Sequence, residues 1–152
     1  MPQWSFLIPL LWVVLAVGIS VAFRRINDKP IIPRLPTGAR FAERIASGRS
    51  LRSIITRFGG AGNCLMVAVT GDRLVVTPFF PFTLMFLPEI YGLEASIPGD
   101  AIRDVRSSTS MFRRVVVVAW DQPERQEIEL RVRRPDALIA ALEAIRRPAR
   151  AR

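Results

Sequence analysis

The chain has 152 residues, of which half are hydrophobic, and it carries a formal net charge of +9 with one cysteine and no histidine. A single cysteine excludes an intramolecular disulfide and a metal site built from cysteines. The absence of histidine removes the commonest metal ligand, the usual general base at neutral pH and every nucleophile that depends on an imidazole. The composition therefore predicts a protein that is not an enzyme and that carries no metal or cofactor.

An apolar run over residues 4–23 contains no charged side chain, and Arg24 and Arg25 follow it directly. With a helical rise of ~1.5 Å per residue, such a run spans roughly 30 Å, which is the thickness of the hydrocarbon core of a bilayer. The pattern predicts a transmembrane anchor over residues 1–25. The residues that mark this predicted span are Trp4, Trp12, Gly18 and Phe23.

A cleaved signal peptide is the alternative for this segment, and it would place the rest of the chain outside the cytoplasm. A signal peptide has a basic start, an apolar region of ~7 to 15 residues and a small-residue cleavage site. Here the start is uncharged, the apolar run is longer, and it ends in two arginines. Because Lys and Arg concentrate after the run, the positive-inside tendency predicts a single-pass protein of the inner (plasma) membrane, with its N-terminus outside and its C-terminal domain in the cytoplasm.

Small residues recur at four-residue spacing inside this run. Ala16 is followed by Ser20, and Gly18 by Ala22. This spacing lets two helices approach each other closely in a membrane. The span is therefore a candidate for homo-oligomerisation.

The positive charge lies mainly in the two flanks of the chain. Residues 24–57 hold nine basic side chains and two acidic ones, Asp28 and Glu43, and residues 146–152 hold four arginines and no acid. The stretch between them, residues 58–145, holds nine basic and eleven acidic side chains. Anionic lipid attracts each nearby cation by ~1 kcal/mol, which predicts contact with the membrane surface. The residues assigned to this contact are Arg24, Arg25, Lys29, Arg34 and Arg40. The alternative is a basic adaptor that holds nucleic acid or an acidic protein at the membrane, although a nucleic-acid groove would carry its arginines on the folded domain.

Residues 26–50 form a basic, proline-rich linker that is predicted to end in a short helix. Pro30, Pro33 and Pro36 hold the chain extended and remove amide donors. Residues 39–46 then place Phe41 and Ile45 four residues apart, which is typical of one face of a helix.

Strand patterns follow from residue 51 onward. The strongest are Arg113–Trp120, which contains four successive valines, and residues 126–133, where apolar and charged side chains alternate. Residues 64–70 and 74–77 predict a hairpin about a tight turn, in which Cys64 is a small buried hydrophobe rather than a reactive thiol. Weaker strands are predicted at residues 51–58 and 101–107, the latter followed by a polar turn at residues 107–110.

The last predicted element is an amphipathic helix that begins at Pro135 or Asp136 and ends near Arg147, with a basic tail over residues 148–152. Its apolar side chains fall on one stripe, at Leu138, Ile139, Leu142 and Ile145. About seven antiparallel strands closed by one helix predict a mainly-β domain over residues 51–147. A curled sheet or barrel capped by the C-terminal helix is the expected fold.

The aromatic segment over residues 78–88 holds four phenylalanines, three prolines and no charge. One interpretation is a strand pair of the core. The other is an apolar loop that dips into the bilayer or docks on a partner, since an exposed patch of this size otherwise promotes aggregation. The candidate contact residues are Phe79, Phe80, Phe82 and Phe86.

Three segments resemble motifs of the bacterial pleckstrin-homology-like (PH-like) domains. They are a hairpin with a polar turn at residues 69–77, a strand begun by Ile-Pro at residues 97–105, and a final helix begun by Pro-x-x-Leu at residues 134–142. The resemblance covers roughly residues 51–145. It implies a PH-like fold and a binding or scaffolding role, often beside a membrane span. It does not extend to inositol-lipid recognition, because the hairpin turn offers only Asp72 and Arg73. The predicted function is a non-catalytic, membrane-anchored binding or scaffolding protein, an accessory of a membrane assembly with a protein partner.

Overall fold

Within the described residues, the fold consists of one open antiparallel sheet and two helices. The computed structural model describes residues 7–51, 61–84, 93–110, 112–121 and 124–146. Its elements are α1 (Leu7–Ile26), β1 (Phe41–Ser50), β2 (Ala61–Val69), β3 (Arg73–Pro78), β4 (Ala95–Pro98), β5 (Ile102–Ser110), β6 (Arg113–Trp120), β7 (Gln126–Arg131) and α2 (Pro135–Ile145), with two 3₁₀ turns at Phe82–Leu84 and Gly99–Ala101.

The sheet has the strand order β4-β3-β2-β1-β7-β6-β5, and every neighbouring pair is antiparallel. The predictions of a mainly-β domain, of about seven antiparallel strands and of a C-terminal helix are confirmed within the described residues. The sheet is not closed, however, because β4 and β5 form its two edges. The first and last strands of the domain, β1 and β7, pair at its centre.

The core lies on the face of the sheet that α2 covers. Leu138, Leu142 and Ile145 of this helix are buried against strand residues such as Leu65 and Leu130, as the helical stripe in the sequence predicted. Fully burying an aliphatic side chain of this size stabilises the fold by about 1.5–3 kcal/mol. Helix α2 therefore supplies one wall of the core.

The predicted helix at residues 39–46 is wrong, because this segment belongs to β1. A two-turn helix is marginal by itself, whereas β1 exchanges hydrogen bonds with β2 on one side and with β7 on the other. The register of β1 shifts between Glu43 and Ala46, and this bulge breaks the alternation of buried and exposed residues. As a result the strand shows no period of two in the sequence.

Two other parts of the sheet differ from what the sequence predicts, and one predicted strand is not described by the structure. The sequence does not predict β4, and β5 continues through Ser110, so the polar turn predicted at residues 107–110 is wrong. The strand predicted at residues 51–58 lies, apart from Leu51, outside the described residues.

The predicted hairpin is confirmed as β2 and β3. The amide of Thr70 donates to the carbonyl of Arg73 at 2.9 Å, and the strands pair from Val69↔Leu74 to Leu65↔Pro78. Cys64 is buried in β2, and burial raises the pKa of its thiol. Since the thiolate is the reactive form, this cysteine is poorly suited to nucleophilic chemistry.

Candidate functional site: the junction of the apolar helix and the sheet

Helix α1 carries the apolar run as a single 20-residue helix, which is long and apolar enough to cross a membrane. Most of its side chains are exposed, and Trp12 and Phe23 expose 66% and 41% of their surface. Space around Gly18 is open, and Trp4 lies outside the described residues. An apolar surface of this extent is unusual on a soluble monomer.

Only Ser20 and Arg24 of this helix are buried. The Arg24 side chain is completely buried, at 0% exposure. Its Nε and Nη2 donate to the carbonyl of Pro30 at 3.2 and 3.0 Å, Nη1 donates to the carbonyl of Thr83 at 3.5 Å, and Nη2 also contacts Oε1 of Glu94 at 3.1 Å. One guanidinium thus joins the last turn of α1, the linker and the sheet side of the molecule. We call this cluster the junction.

The chain reverses sharply after α1, which brings the linker back to Arg24. Asp28 adopts φ +52°, and the amide of Lys29 donates to the carbonyl of Arg24 at 2.8 Å. The amide side chain of Asn27 donates to the carbonyl of Phe23 at 2.8 Å. Asn and Asp suit this reversal because they tolerate the left-handed conformation that commonly ends a helix.

Glu94 is the acidic partner of the junction. Its Oε1 accepts from Arg24, and its Oε2 accepts from Nζ of Lys29 at 3.1 Å. The buried hydroxyl of Thr83 donates to the carbonyl of Ile31 at 3.0 Å, which attaches the linker to the 3₁₀ turn. The hydrogen bonds from Arg24 and Lys29 to Glu94 join charged groups, and such charge-assisted bonds are stronger than neutral ones.

This chemistry is suited to holding segments together rather than to reaction. An arginine side chain does not lose its proton in proteins, so it offers no general base. Among the described residues no group of three or more His, Cys, Asp or Glu side chains could hold a metal ion. The junction can therefore orient α1 relative to the sheet.

The residues predicted to face the membrane surface divide into two sets. Arg25, Arg34 and Arg40 are exposed, as such a role requires. The Arg24 side chain is buried and so is not available to a membrane surface in this structure, and Lys29 forms an ion pair with Glu94. Sequence reasoning missed the roles of Thr83 and Glu94, because no periodicity or motif links residues 59 and 70 positions away to Arg24.

The aromatic segment also divides into two sets. Phe79 and Phe82 pack against the core, with their rings edge to face at a centroid distance of 5.3 Å. Phe80 exposes 50% of its surface, and Phe86 lies outside the described residues. Strand β3 ends at Pro78 and a 3₁₀ turn follows, so the described part is not a strand pair. Phe80 alone of the described candidates is free to contact a partner or lipid.

Serine substitutions separate these two sets. Phe82→Ser is expected to lower the free energy of unfolding by about 2 kcal/mol, because it removes a ring that is packed on the core. Phe80→Ser changes an exposed side chain and is expected to stay within about 0.5 kcal/mol of the parent protein. Chemical denaturation of the full chain in detergent measures both values. Equal losses for the two variants would contradict the division.

Comparison with known proteins gives no assignment. The chain matches no protein-family model, and no curated protein is significantly similar to it. Neither comparison supplies a family, a substrate or a partner.

Proposed function

We propose that this chain is a non-catalytic, single-span membrane protein that presents a PH-like β domain at the cytoplasmic face of the inner membrane, as a binding or scaffolding accessory of a membrane assembly. The observation that carries the proposal is the buried Arg24. It is the first charged residue after the apolar run, and it bonds to the linker, to Thr83 and to Glu94.

A buried arginine at this point gives the domain a defined orientation. A domain on an unrestrained linker samples many orientations relative to its anchor. Here two carbonyl groups of the linker accept hydrogen bonds. The carbonyl of Pro30 accepts from Arg24 of α1, and the carbonyl of Ile31 accepts from Thr83 of the 3₁₀ turn. A scaffold benefits from this arrangement, because its binding surfaces keep a constant direction with respect to the membrane.

The PH-like part of the proposal is supported by the position of the three resembling segments. Residues 69–77 contain the turn and most of β3, residues 97–105 include the 3₁₀ turn that leads into β5, and residues 134–142 begin α2. The first and third motifs therefore lie in elements of the type expected from the resemblance, whereas Ile97 and Pro98 of the second end β4 and a 3₁₀ turn separates them from β5. The sheet order, with a C-terminal helix over one face, is compatible with the same fold.

The orientation in the membrane is supported by the exposed basic residues. Arg25, Arg34 and Arg40 lie exposed on the domain side of α1. Basic residues next to a span favour the cytoplasmic side, where anionic lipid attracts them.

A topology measurement tests this function. A reporter that fluoresces only in the cytoplasm is fused after Arg152, and mass spectrometry of the purified membrane protein establishes whether residues 4–23 are retained. We expect a fluorescent, uncleaved protein that alkaline carbonate does not extract. A matched fusion to a phosphatase that is active only outside the cytoplasm should remain inactive. A cleaved N-terminus with phosphatase activity would overturn the proposal.

A further inference from the structure

A basic groove opens where β1 and β7 separate. The two strands pair from Ser50↔Ile128 to Ser47↔Arg131, after which β1 continues beside β2 and the chain beyond β7 turns into α2. A groove of about 490 Å³ lies here, lined by residues of β1, β2, β6 and the end of β7. Its charged lining consists of Arg113, Arg114, Arg131, Arg133 and one carboxylate, Glu43.

Several arginines in and near this groove are paired with carboxylates. Arg49 is paired with Glu129 at 2.7 Å, and Arg106 with Glu127 at 3.1 Å. In the groove, Arg114 is paired with Asp136 at 2.8 Å.

Three arginines of the groove have no carboxylate partner among the described residues. They are Arg113, Arg131 and Arg133. Like charges gathered in a concave surface concentrate the field and attract an oppositely charged ligand. The groove therefore selects for negative charge.

Two buried polar atoms in the groove lack a hydrogen-bond partner within the described part of the chain. They are Oε2 of Glu43, an acceptor, and Nε of Arg131, a donor. Glu43 is itself only 9% exposed, and its other oxygen accepts from the amide of Arg133 at 2.8 Å. Buried polar groups are normally hydrogen-bonded. One acceptor and one donor together match the N–H and C=O groups of a peptide backbone.

We propose that this groove binds an extended acidic segment of a partner protein. Carboxylates of the segment pair with Arg113, Arg131 and Arg133, where charge-assisted bonds are strong. A backbone N–H of the segment donates to Glu43, and a carbonyl accepts from Nε of Arg131. The inference rests on the proposed function of a binding module and names the chemistry of its partner.

Glu43 is the reason to choose a peptide over a phosphate group. At neutral pH a phosphate brings mainly acceptor oxygens and negative charge, so it would face the unpartnered carboxylate oxygen with like charge. A peptide brings carboxylates for the arginines and also a donor for Glu43. The backbone of a nucleic acid and a phosphorylated lipid headgroup would also place negatively charged phosphate oxygens against the carboxylate of Glu43.

The test uses the full chain in nanodiscs of zwitterionic lipid and a fluorescein-labelled peptide of alternating Glu and Thr, with fluorescence anisotropy as the readout. Arg113→Glu is expected to weaken binding at least about tenfold, because it replaces a partner of the carboxylates. Arg40→Glu is the matched control: it makes the same charge change at an exposed residue outside the groove, and it should stay within about twofold. A peptide of alternating Lys and Thr should not bind.

Replacing Glu43 distinguishes the two ligand chemistries. Glu43→Gln should weaken binding of the acidic peptide, because the one oxygen of the glutamine accepts from the amide of Arg133 and its NH2 group, a donor, replaces the oxygen that a backbone N–H requires. The same variant should strengthen any binding of inorganic phosphate or of vesicles that contain phosphorylated inositol lipid, because the like charge is removed.

Three results would overturn the groove proposal. The first is that the acidic peptide does not bind at concentrations up to roughly 1 mM. The second is that Arg113→Glu and Arg40→Glu weaken peptide binding equally. The third is that the Glu43→Gln variant binds the peptide more tightly than the parent protein does. The topology measurement is independent of all three. A retained, cytoplasmic anchor together with no peptide binding therefore removes this proposal and leaves the proposed function intact.

Discussion

Arg24→Met is expected to open the junction between α1 and the sheet, at a cost of about 3 kcal/mol, because breaking a buried ion pair leaves its other groups without compensation. Glu94 would keep Lys29 as a partner, but the carbonyls of Pro30 and Thr83 would lose their donor. Hydrogen exchange of the linker over residues 27–36, in the full chain in detergent, measures this opening. A loss of 3 kcal/mol corresponds to exchange faster by roughly 100-fold.

Arg25→Met is the matched control for this experiment. Arg25 has the same side chain at the neighbouring position, and it is exposed. Its replacement should leave exchange of the linker within about twofold of the parent protein, because a surface charge contributes little. Arg24→Lys should give an intermediate result, since an ammonium cannot reproduce the fork of a guanidinium. Equal exchange for Arg24→Met and Arg25→Met would show that the junction does not hold the linker.

Gly99→Ala is expected to destabilise the sheet by about 3 kcal/mol through overpacking. A Cβ at this position would collide with the carbonyl oxygen of Ile145 and would lie 3.2 Å from that of Asp72. Both obstacles are backbone atoms, which cannot move aside as the end of a side chain can. The glycine lies where the 3₁₀ turn before β5, the end of α2 and the β2–β3 turn meet, and its amide donates to Asp72 at 2.7 Å.

Gly71→Ala tests whether this effect is specific. Gly71 lies in the same β2–β3 turn, but a Cβ there would meet nothing within 4 Å. We expect its free energy of unfolding to stay within about 0.5 kcal/mol of the parent protein. Chemical denaturation of both variants in detergent gives the comparison. If Gly99→Ala were no less stable than Gly71→Ala, close packing of α2 against this turn would be refuted.

The junction and the groove contribute differently to the proposed function. At the junction, Arg24 and Glu94 satisfy each other, so this part of the molecule is suited to holding the domain. In the groove, Arg113 and Arg131 lack such partners among the described residues. Positive charge that the domain leaves unpaired is available to a ligand, which is why the binding inference is placed there.

Elements with a strong local pattern could be predicted from the sequence. Strand β6 was predicted with its observed ends, since four successive valines favour a strand whatever surrounds them. The β2–β3 hairpin and α2 were predicted because their turn and their apolar stripe depend on neighbouring residues only. Strands β1 and β4 could not be predicted, because their stability depends on pairing with distant segments.

The sequence by itself determined that this chain has one long apolar helix, a strand-rich domain with a C-terminal helix, and no histidine or cysteine pair for chemistry. These properties follow from composition and from patterns within a few residues. Only the tertiary structure decided that β1 pairs with β7, that Arg24 is buried against Glu94, and that arginines without a carboxylate partner among the described residues line one groove. Each of these joins residues about 70 to 90 positions apart. Such contacts form because folding brings those residues together, and local sequence carries no record of that proximity.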